Sequence, residues 1–141
     1  MELIFSSLKG FESFTKAFHT GKKFRSGAAL TSVQFNSKQS SPVGNVLDTS
    51  HIVSYAVTVS KRTAKRAVLR NRIKRLMRES LRKELSDLFH QDQIVISTFI
   101  WIWRSAPKKP GQIHLNDVSK ELRLIIDDIK FYHLKIQKSK Y

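Results

Sequence analysis

The 141-residue sequence contains no cysteine, only 11 acidic residues and no apolar run long enough to cross a membrane. Without cysteine, the chain can form neither a disulfide framework nor a thiolate metal site. A membrane-spanning helix needs about 20 consecutive apolar residues. The first residues also do not combine a basic segment with a long apolar one, as signal peptides do. We therefore expect a soluble, cytoplasmic protein with no membrane partner.

Basic residues, by contrast, are abundant. The 26 Lys and Arg residues outnumber the 11 Asp and Glu residues, so the formal net charge is +15 and the pI is about 10.4. This imbalance favours a polyanionic partner, either a nucleic acid or an anionic membrane surface. The chain length suits one domain, and we assign residues 1–141 to it.

Hydrophobic periodicity predicts one mixed sheet covered by helices. The predicted elements are helices at 7–20, 67–89 and 116–131, strands at 28–35, 52–59 and 93–103, and a short extended segment at 22–25. Residues 36–50 are rich in Ser, Asn, Gly and Pro, which predicts a surface loop. Residues 132–141 are expected to form a frayed basic tail.

The predicted helix at 67–89 has two opposite faces. Its core face carries Leu69, Ile73, Leu76, Met77 and Ser80, and the opposite face carries Asn71, Lys74, Arg75, Arg78 and Arg82. Glu79 is the only acid between Lys61 and Lys83, so the helix lacks the Glu–Lys pairs that stabilise exposed helices. A solvated face, a nuclear localisation signal or a membrane-surface helix are alternatives. Phosphates explain the arrangement better, because they would neutralise cations that oppose the helix dipole at the first turn.

At this stretch the sequence resembles a known family. AVTVSKRTAKRAVLRNRIKRLMRESLR, residues 56–82, is similar to the strand, basic loop and Arg-Asn-Arg helix of bacterial ribonuclease P protein subunits. LKGFESFTKAFHTGKKF at 8–24 resembles the family's first helix, and DQIVIS at 92–97 resembles its last strand. The resemblance implies an α/β fold, an α+β two-layer sandwich of the ribosomal protein S5 domain 2-like type. It would have a four-stranded mixed sheet, three helices in the order αβββαβα and a left-handed βαβ crossover.

The resemblance also implies a function. The chain would be a non-catalytic subunit of a ribonucleoprotein endoribonuclease, whose RNA subunit uses Mg²⁺ to remove the 5′ leader of precursor tRNA. The implied partners are this catalytic RNA and precursor tRNA, with no cofactor bound by the protein alone. The sequence offers no catalytic site of its own, because its five His lack metal-ligand spacing. The adjacent Asp127 and Asp128 would point about 100° apart on a helix.

Two binding surfaces follow from the resemblance. The leader of precursor tRNA would contact Phe14, Phe18, Arg70, Asn71, Lys74 and Arg78. The catalytic RNA would contact Arg62, Lys65, Arg66, Arg72 and Arg75. Paired Phe residues on an amphipathic helix are more often core residues, so that alternative stays open for Phe14 and Phe18.

Several questions remain open at the level of sequence. Ser32 stands where many family members carry an aromatic residue on the floor of the leader cleft, and Val33 or Phe35 could take that place instead. Phe99, Trp101 and Trp103 alternate onto one face of a strand, where we favour a packing cluster over an RNA-stacking patch. The alternative function is a ribosomal or ribosome-assembly RNA-binding protein without a nuclease role. The Arg-Asn-Arg stripe with paired Phe favours the ribonuclease P subunit.

Overall fold

The computed structural model describes residues 2–35, 50–105 and 113–139. These segments contain five strands and three helices, and none of the helices is long and apolar enough to span a membrane. In chain order the elements are β1 (Glu2–Ser7), α1 (Phe11–Thr20), β2 (Lys22–Arg25), β3 (Ala29–Phe35), β4 (Ser50–Val59), α2 (Ala67–Asp92), β5 (Ile96–Trp103) and α3 (Leu115–Ser139).

The strands form a single mixed sheet in the order β1-β4-β5-β3-β2. β1, β4 and β5 are parallel neighbours, whereas β3 pairs antiparallel with both β5 and β2. Parallel neighbours need a crossover connection, and α2 supplies it between β4 and β5. The predicted α/β class is confirmed, and the left-handed crossover stays a prediction.

The predicted sheet was one strand too small. The additional strand is β1, which pairs in parallel with β4 from Glu2↔Ser50 to Ser7↔Tyr55. Six residues are too few for their pattern to identify a strand. The helix predicted at 7–20 begins at Phe11 instead. Gly10 has a φ of 92°, a conformation that glycine adopts without steric cost, and it turns the chain from strand to helix.

Two helices extend beyond their predicted ends. α2 reaches Asp92, and the left-handed backbone of Gln93 ends it, so β5 begins later than predicted. α3 continues to Ser139, so most of the predicted tail at 132–141 is helical. The predicted loop at 36–50 lies outside the described residues except for Ser50, which begins β4.

The sheet separates two helical layers. α2 and α3 pack against each other on one face, over a core that includes Val53, Ile73, Phe99, Trp101 and Leu122. Successive strand residues point to opposite faces. In β3, Val33 belongs to this core, while the neighbouring Ser32 donates its hydroxyl to the Phe18 carbonyl oxygen of α1 at 2.8 Å. α1 therefore lies on the other face of the sheet, against β3 and β5.

The interface between α2 and α3 contains a buried polar pair. The hydroxyls of Ser80 and Ser119 are hydrogen-bonded at 3.0 Å, and both residues are buried. This bond satisfies the one polar residue on the predicted core face of α2, since an unpaired buried hydroxyl would be costly. At the rim of the same interface, Arg123 contacts Glu84 at 3.2 Å.

Candidate nucleic-acid interface

α1 places two phenylalanine rings on the sheet face opposite α2 and α3. The rings of Phe14 and Phe18 are parallel, within 6°, and their centroids are 6.3 Å apart. Residues four apart on a helix are neighbours on its surface. Both side chains are half-buried, and α1, which is described in full, contains no buried residue. The alternative that they are core residues is therefore wrong, and part of each ring is accessible.

Two residues fix the end of α1, and the sequence analysis missed the first of them, Lys23. The Nζ of Lys23 lies 4.7 Å from the Phe18 ring centroid, within cation–π range. It also donates to the carbonyl oxygens of Phe18 and Gly21. The hydroxyl of Ser32 donates to the same Phe18 carbonyl. Periodicity could not reveal these contacts, because they join a helix end to strands on the far side of a turn.

The sheet floor beneath α1 contains one buried serine. Ser32 is buried and points towards α1, whereas Val33 is buried on the other face. Phe35 packs against Phe24 and Tyr132 of that other layer, with ring centroids 6.5 and 5.7 Å away. Val33 and Phe35 therefore do not reach the α1 side. Of the three candidates for the floor, Ser32 is the one that faces α1.

The first half of α2 carries cations on the edge and the outside of the helix. Arg70, Lys74 and Arg78 recur every four residues and are half-buried, so they line one flank of the buried stripe. Asn71 and Arg75 are exposed. Arg75 lies 4.0 Å from Glu79, and an exposed pair of this kind contributes little stability.

Both arginines of the Arg-Asn-Arg motif also hold the protein together. Arg70 donates through Nη1 to the carbonyl oxygens of Ala64 and Lys65, at 2.9 and 2.8 Å, which fastens the basic loop to the helix. Arg72 donates through Nε and Nη2 to the Ile113 carbonyl oxygen, at 3.2 and 3.0 Å, which joins α2 to the segment before α3. A guanidinium has five N–H groups, so each arginine keeps donors for a phosphate.

The loop before α2 surrounds the helix start with positive charge. The backbone N–H groups of Thr63 and Ala64 donate to the Ser60 carbonyl, and this turn buries the Ala64 side chain. Arg62, Lys65 and Arg66 are exposed around it. The first turn of α2, fully described, has neither an acidic residue nor a side-chain cap. Its backbone N–H groups therefore add to the positive potential.

The aromatic row of β5 faces the opposite layer. Phe99 and Trp101 are fully buried, and Trp103 is 4% exposed. The Trp101 and Trp103 rings meet edge to face with centroids 6.2 Å apart. The prediction of a packing cluster is confirmed, so these rings are not available to an RNA.

Acidic and histidine side chains do not gather anywhere in the described segments. Across residues 2–35, 50–105 and 113–139, no group of three His, Asp or Glu residues is close enough to hold a metal ion. The α1 surface carries phenyl rings, and α2, which packs on the other face of the sheet, carries ammonium and guanidinium groups and one carboxamide. These groups bind phosphates and bases.

Two curated proteins that are similar to this chain are named ribonuclease P protein component. The chain is 28% identical over 115 residues to the ribonuclease P protein component of Prochlorococcus marinus strain NATL2A, covering 82% of this chain and 88% of that protein. It is 29% identical over 94 residues to the ribonuclease P protein component of a second Prochlorococcus marinus strain, covering 64% and 72%. These shares show that the similarity extends over most of each protein.

A solved structure shows the same fold, and a family model shows the family. The Staphylococcus aureus RNase P protein superposes with a TM-score of 0.57 at 20% identity, covering 88% of this chain and 94% of that one, so the two share a fold. The family model described as Ribonuclease P matches residues 5–99, which is more than half of the chain. The chain therefore belongs to the ribonuclease P protein family.

Proposed function

We propose that this chain binds the catalytic RNA of ribonuclease P and the 5′ leader of precursor tRNA, so that the RNA subunit can remove the leader. The observation that carries the proposal is the aromatic pair on α1. Phe14 and Phe18 are parallel and only half-buried, in a chain whose formal charge is +15. Accessible rings and cations are the two components of a single-strand binding surface.

The leader would be held mainly by contacts that do not depend on its sequence. Every base has a π-face, so stacking on Phe14 or Phe18 is tolerant of base identity. Lys74 and Arg78, half-buried on the flank of α2, would track the leader phosphates, and Asn71 beside them can both donate and accept hydrogen bonds. A surface of this kind suits a protein that must accept many different leaders.

The catalytic RNA would contact the electropositive start of α2. Arg62, Lys65 and Arg66 are exposed there, and each phosphate that they neutralise releases counterions. Arg75 is exposed more than two turns further along the helix. Arg72 would contribute from the opposite flank through the N–H groups that Ile113 leaves free. In this division the α2 residues that would contact the leader and those that would contact the catalytic RNA lie on adjacent faces of that helix.

In this proposal the protein positions RNA and the RNA subunit performs the hydrolysis with Mg²⁺. The interface residues are Phe, Asn, Lys and Arg, which bind and orient rather than act as the usual general bases, His and the carboxylates. Binding energy from the leader contributes to catalysis by holding the scissile bond in place.

Cleavage of a precursor tRNA at low Mg²⁺ tests the proposal. The reaction would contain a bacterial ribonuclease P RNA, this protein, or both. We expect 5′ leader removal only when both are present. Cleavage by the protein alone would contradict the division of labour. A failure to stimulate the RNA, accompanied by tight binding to ribosomal RNA, would instead support a structural RNA-binding protein.

A further inference from the structure

The first residue of α1 is an aromatic side chain that the protein leaves uncovered. Phe11 is 83% exposed, more than any other large apolar residue in the described segments. Among those residues it has no ring or cation partner, whereas Phe18 contacts both Phe14 and Lys23. Burying a side chain of this size is favourable, so its exposure is unfavourable for the free protein.

Phe11 continues the aromatic stripe of α1. It precedes Phe14 by three residues and Phe18 by seven, so the three side chains lie within about 60° of each other around the helix. Over those seven residues the helix rises by about 10 Å. Exposure is highest at Phe11 and intermediate at the other two. The first turn of α1 is therefore not covered by the sheet, and the Phe11 ring lies on the same side of the helix as the rings of Phe14 and Phe18.

The exposed face of the β1–β4 pair is also apolar. Ile4 of β1 pairs with Ile52 of β4, and they are 43% and 57% exposed. Val53, next to Ile52, points into the α2–α3 core, so both isoleucines face the α1 side. The Leu8 N–H donates to the Tyr55 carbonyl oxygen at 2.8 Å, which fixes the chain entering α1 to β4, three residues beyond Ile52.

Local structure does not explain a phenylalanine at this position. Phe has only a moderate helix propensity, and the helix start at Gly10 has no side-chain cap that Phe11 could support. A single exposed apolar residue is ordinary on a protein surface. The alignment of Phe11 with two further accessible rings distinguishes it from such a residue.

We propose that Phe11 is a third stacking position, which extends the leader site by one unpaired base beyond Phe14 and Phe18. The inference rests on the proposed function and deepens it. The occupant is a base of single-stranded RNA, because Lys9 is exposed two residues before Phe11 and the whole chain carries a formal charge of +15. An aromatic face next to a cation is the local chemistry that binds single strands.

A set of precursor tRNAs with 2-aminopurine at one leader position each would test this inference, since stacking quenches that fluorophore. Each would be bound to the reconstituted holoenzyme with wild-type protein, Phe11→Ala, Phe11→Leu or Phe11→Tyr. Phe131→Ala is the matched control, because Phe131 is an exposed phenylalanine (69%) on α3, in the other layer. Phe14→Ala and Phe18→Ala would identify the positions stacked on the other two rings.

We expect Phe11→Ala to restore fluorescence at one leader position that differs from those affected by Phe14→Ala and Phe18→Ala. Precursor binding should weaken by about fivefold or more, the lower end of the loss of one stacked base. Binding of mature tRNA should stay within about twofold, the range typical of exposed surface substitutions. Phe11→Tyr should retain the stacking and Phe11→Leu should lose it, since only the former has a π-face.

Two results would overturn the inference. If Phe14→Ala and Phe18→Ala change leader fluorescence but Phe11→Ala behaves like Phe131→Ala, the proposed function stands and the third position is wrong. If Phe11→Leu retains full binding and quenching, Phe11 is an apolar contact and not a stacking platform. If none of the variants changes fluorescence at any leader position, the proposed leader site fails together with this inference.

Discussion

Two aromatic groups in this protein look alike in sequence and differ in structure. Phe99, Trp101 and Trp103 alternate along β5, and Phe14 and Phe18 repeat along α1. The first group is buried, because β5 lies between β4 and β3 beneath α2 and α3. The second is half-buried, because α1 lies on the opposite face, against β3 and β5. Periodicity shows which residues share a face, whereas the neighbouring layer decides whether that face is accessible.

The same contrast separates two arginines of α2. Arg72 donates twice to the Ile113 carbonyl oxygen and is half-buried. Arg75, three residues later, is exposed, and its ion pair with Glu79 is long, at 4.0 Å. Both were assigned to the catalytic RNA by resemblance. The structure gives Arg72 an additional role within the protein, and substitutions should separate the two.

The largest expected effect is on the buried aromatic row. Trp101→Ala should lower the free energy of unfolding by about 3–5 kcal/mol, because it removes a large side chain and leaves a cavity. Denaturant titration measures this change, with Phe11→Ala as a control at an exposed ring. A loss below about 1 kcal/mol, the ordinary size for a point substitution, would show that the β5 row is not core.

Phe18→Ala should affect binding more than folding. The holoenzyme should bind precursor tRNA more weakly by about 1–3 kcal/mol, the value of one stacked base, and its affinity for mature tRNA should not change. Equilibrium binding of both RNAs would measure the difference. Equal losses for the two RNAs would mean that Phe18 acts through the fold and not through the leader.

Arg72→Ala should destabilise the protein itself. Removing the guanidinium leaves the carbonyl of the buried Ile113 without its donor, which costs about 1–3 kcal/mol. Thermal or denaturant unfolding of the free protein would show the loss. Unchanged stability would mean that the Ile113 contact contributes nothing, and that Arg72 is as free for RNA as Arg75.

The smallest expected effect is at Arg75. Arg75→Ala should leave the stability of the free protein within about 0.5 kcal/mol, as at other exposed positions. It should reduce the slope of log K against log salt for binding the catalytic RNA by about 0.9, the value of one phosphate contact. Titrations at several salt concentrations test this, and an unchanged slope would remove Arg75 from the RNA interface.

Much of the fold was predictable because its patterns are local. The apolar stripes of α2 and α3 and the β-branched run of β4 each identify their element without reference to the rest of the chain. β1 was missed because it is short and depends on β4 for its pairing. The end of α2 depends on the left-handed conformation of Gln93, which is not a residue type that usually ends helices.

The candidate site was less predictable than the fold. The sequence identified the rings of α1 and the cations of α2, but their accessibility depends on layers that only the structure shows. The contact of Lys23 with the Phe18 ring could not be predicted from the sequence, because it forms across the turn after α1. The choice of Ser32 over Phe35 for the floor depended on strand alternation and on the ring contact of Phe35 with Tyr132.

We propose that the leader of precursor tRNA lies along α1 and the first turns of α2. The most direct test is photo-crosslinking from 4-thiouridine placed at successive leader positions of a precursor bound to the holoenzyme, followed by identification of the crosslinked peptides. We predict crosslinks to peptides that contain residues 11–20 and 70–78. Crosslinks confined to α3, with none to α1 or α2 at any leader position, would contradict the account.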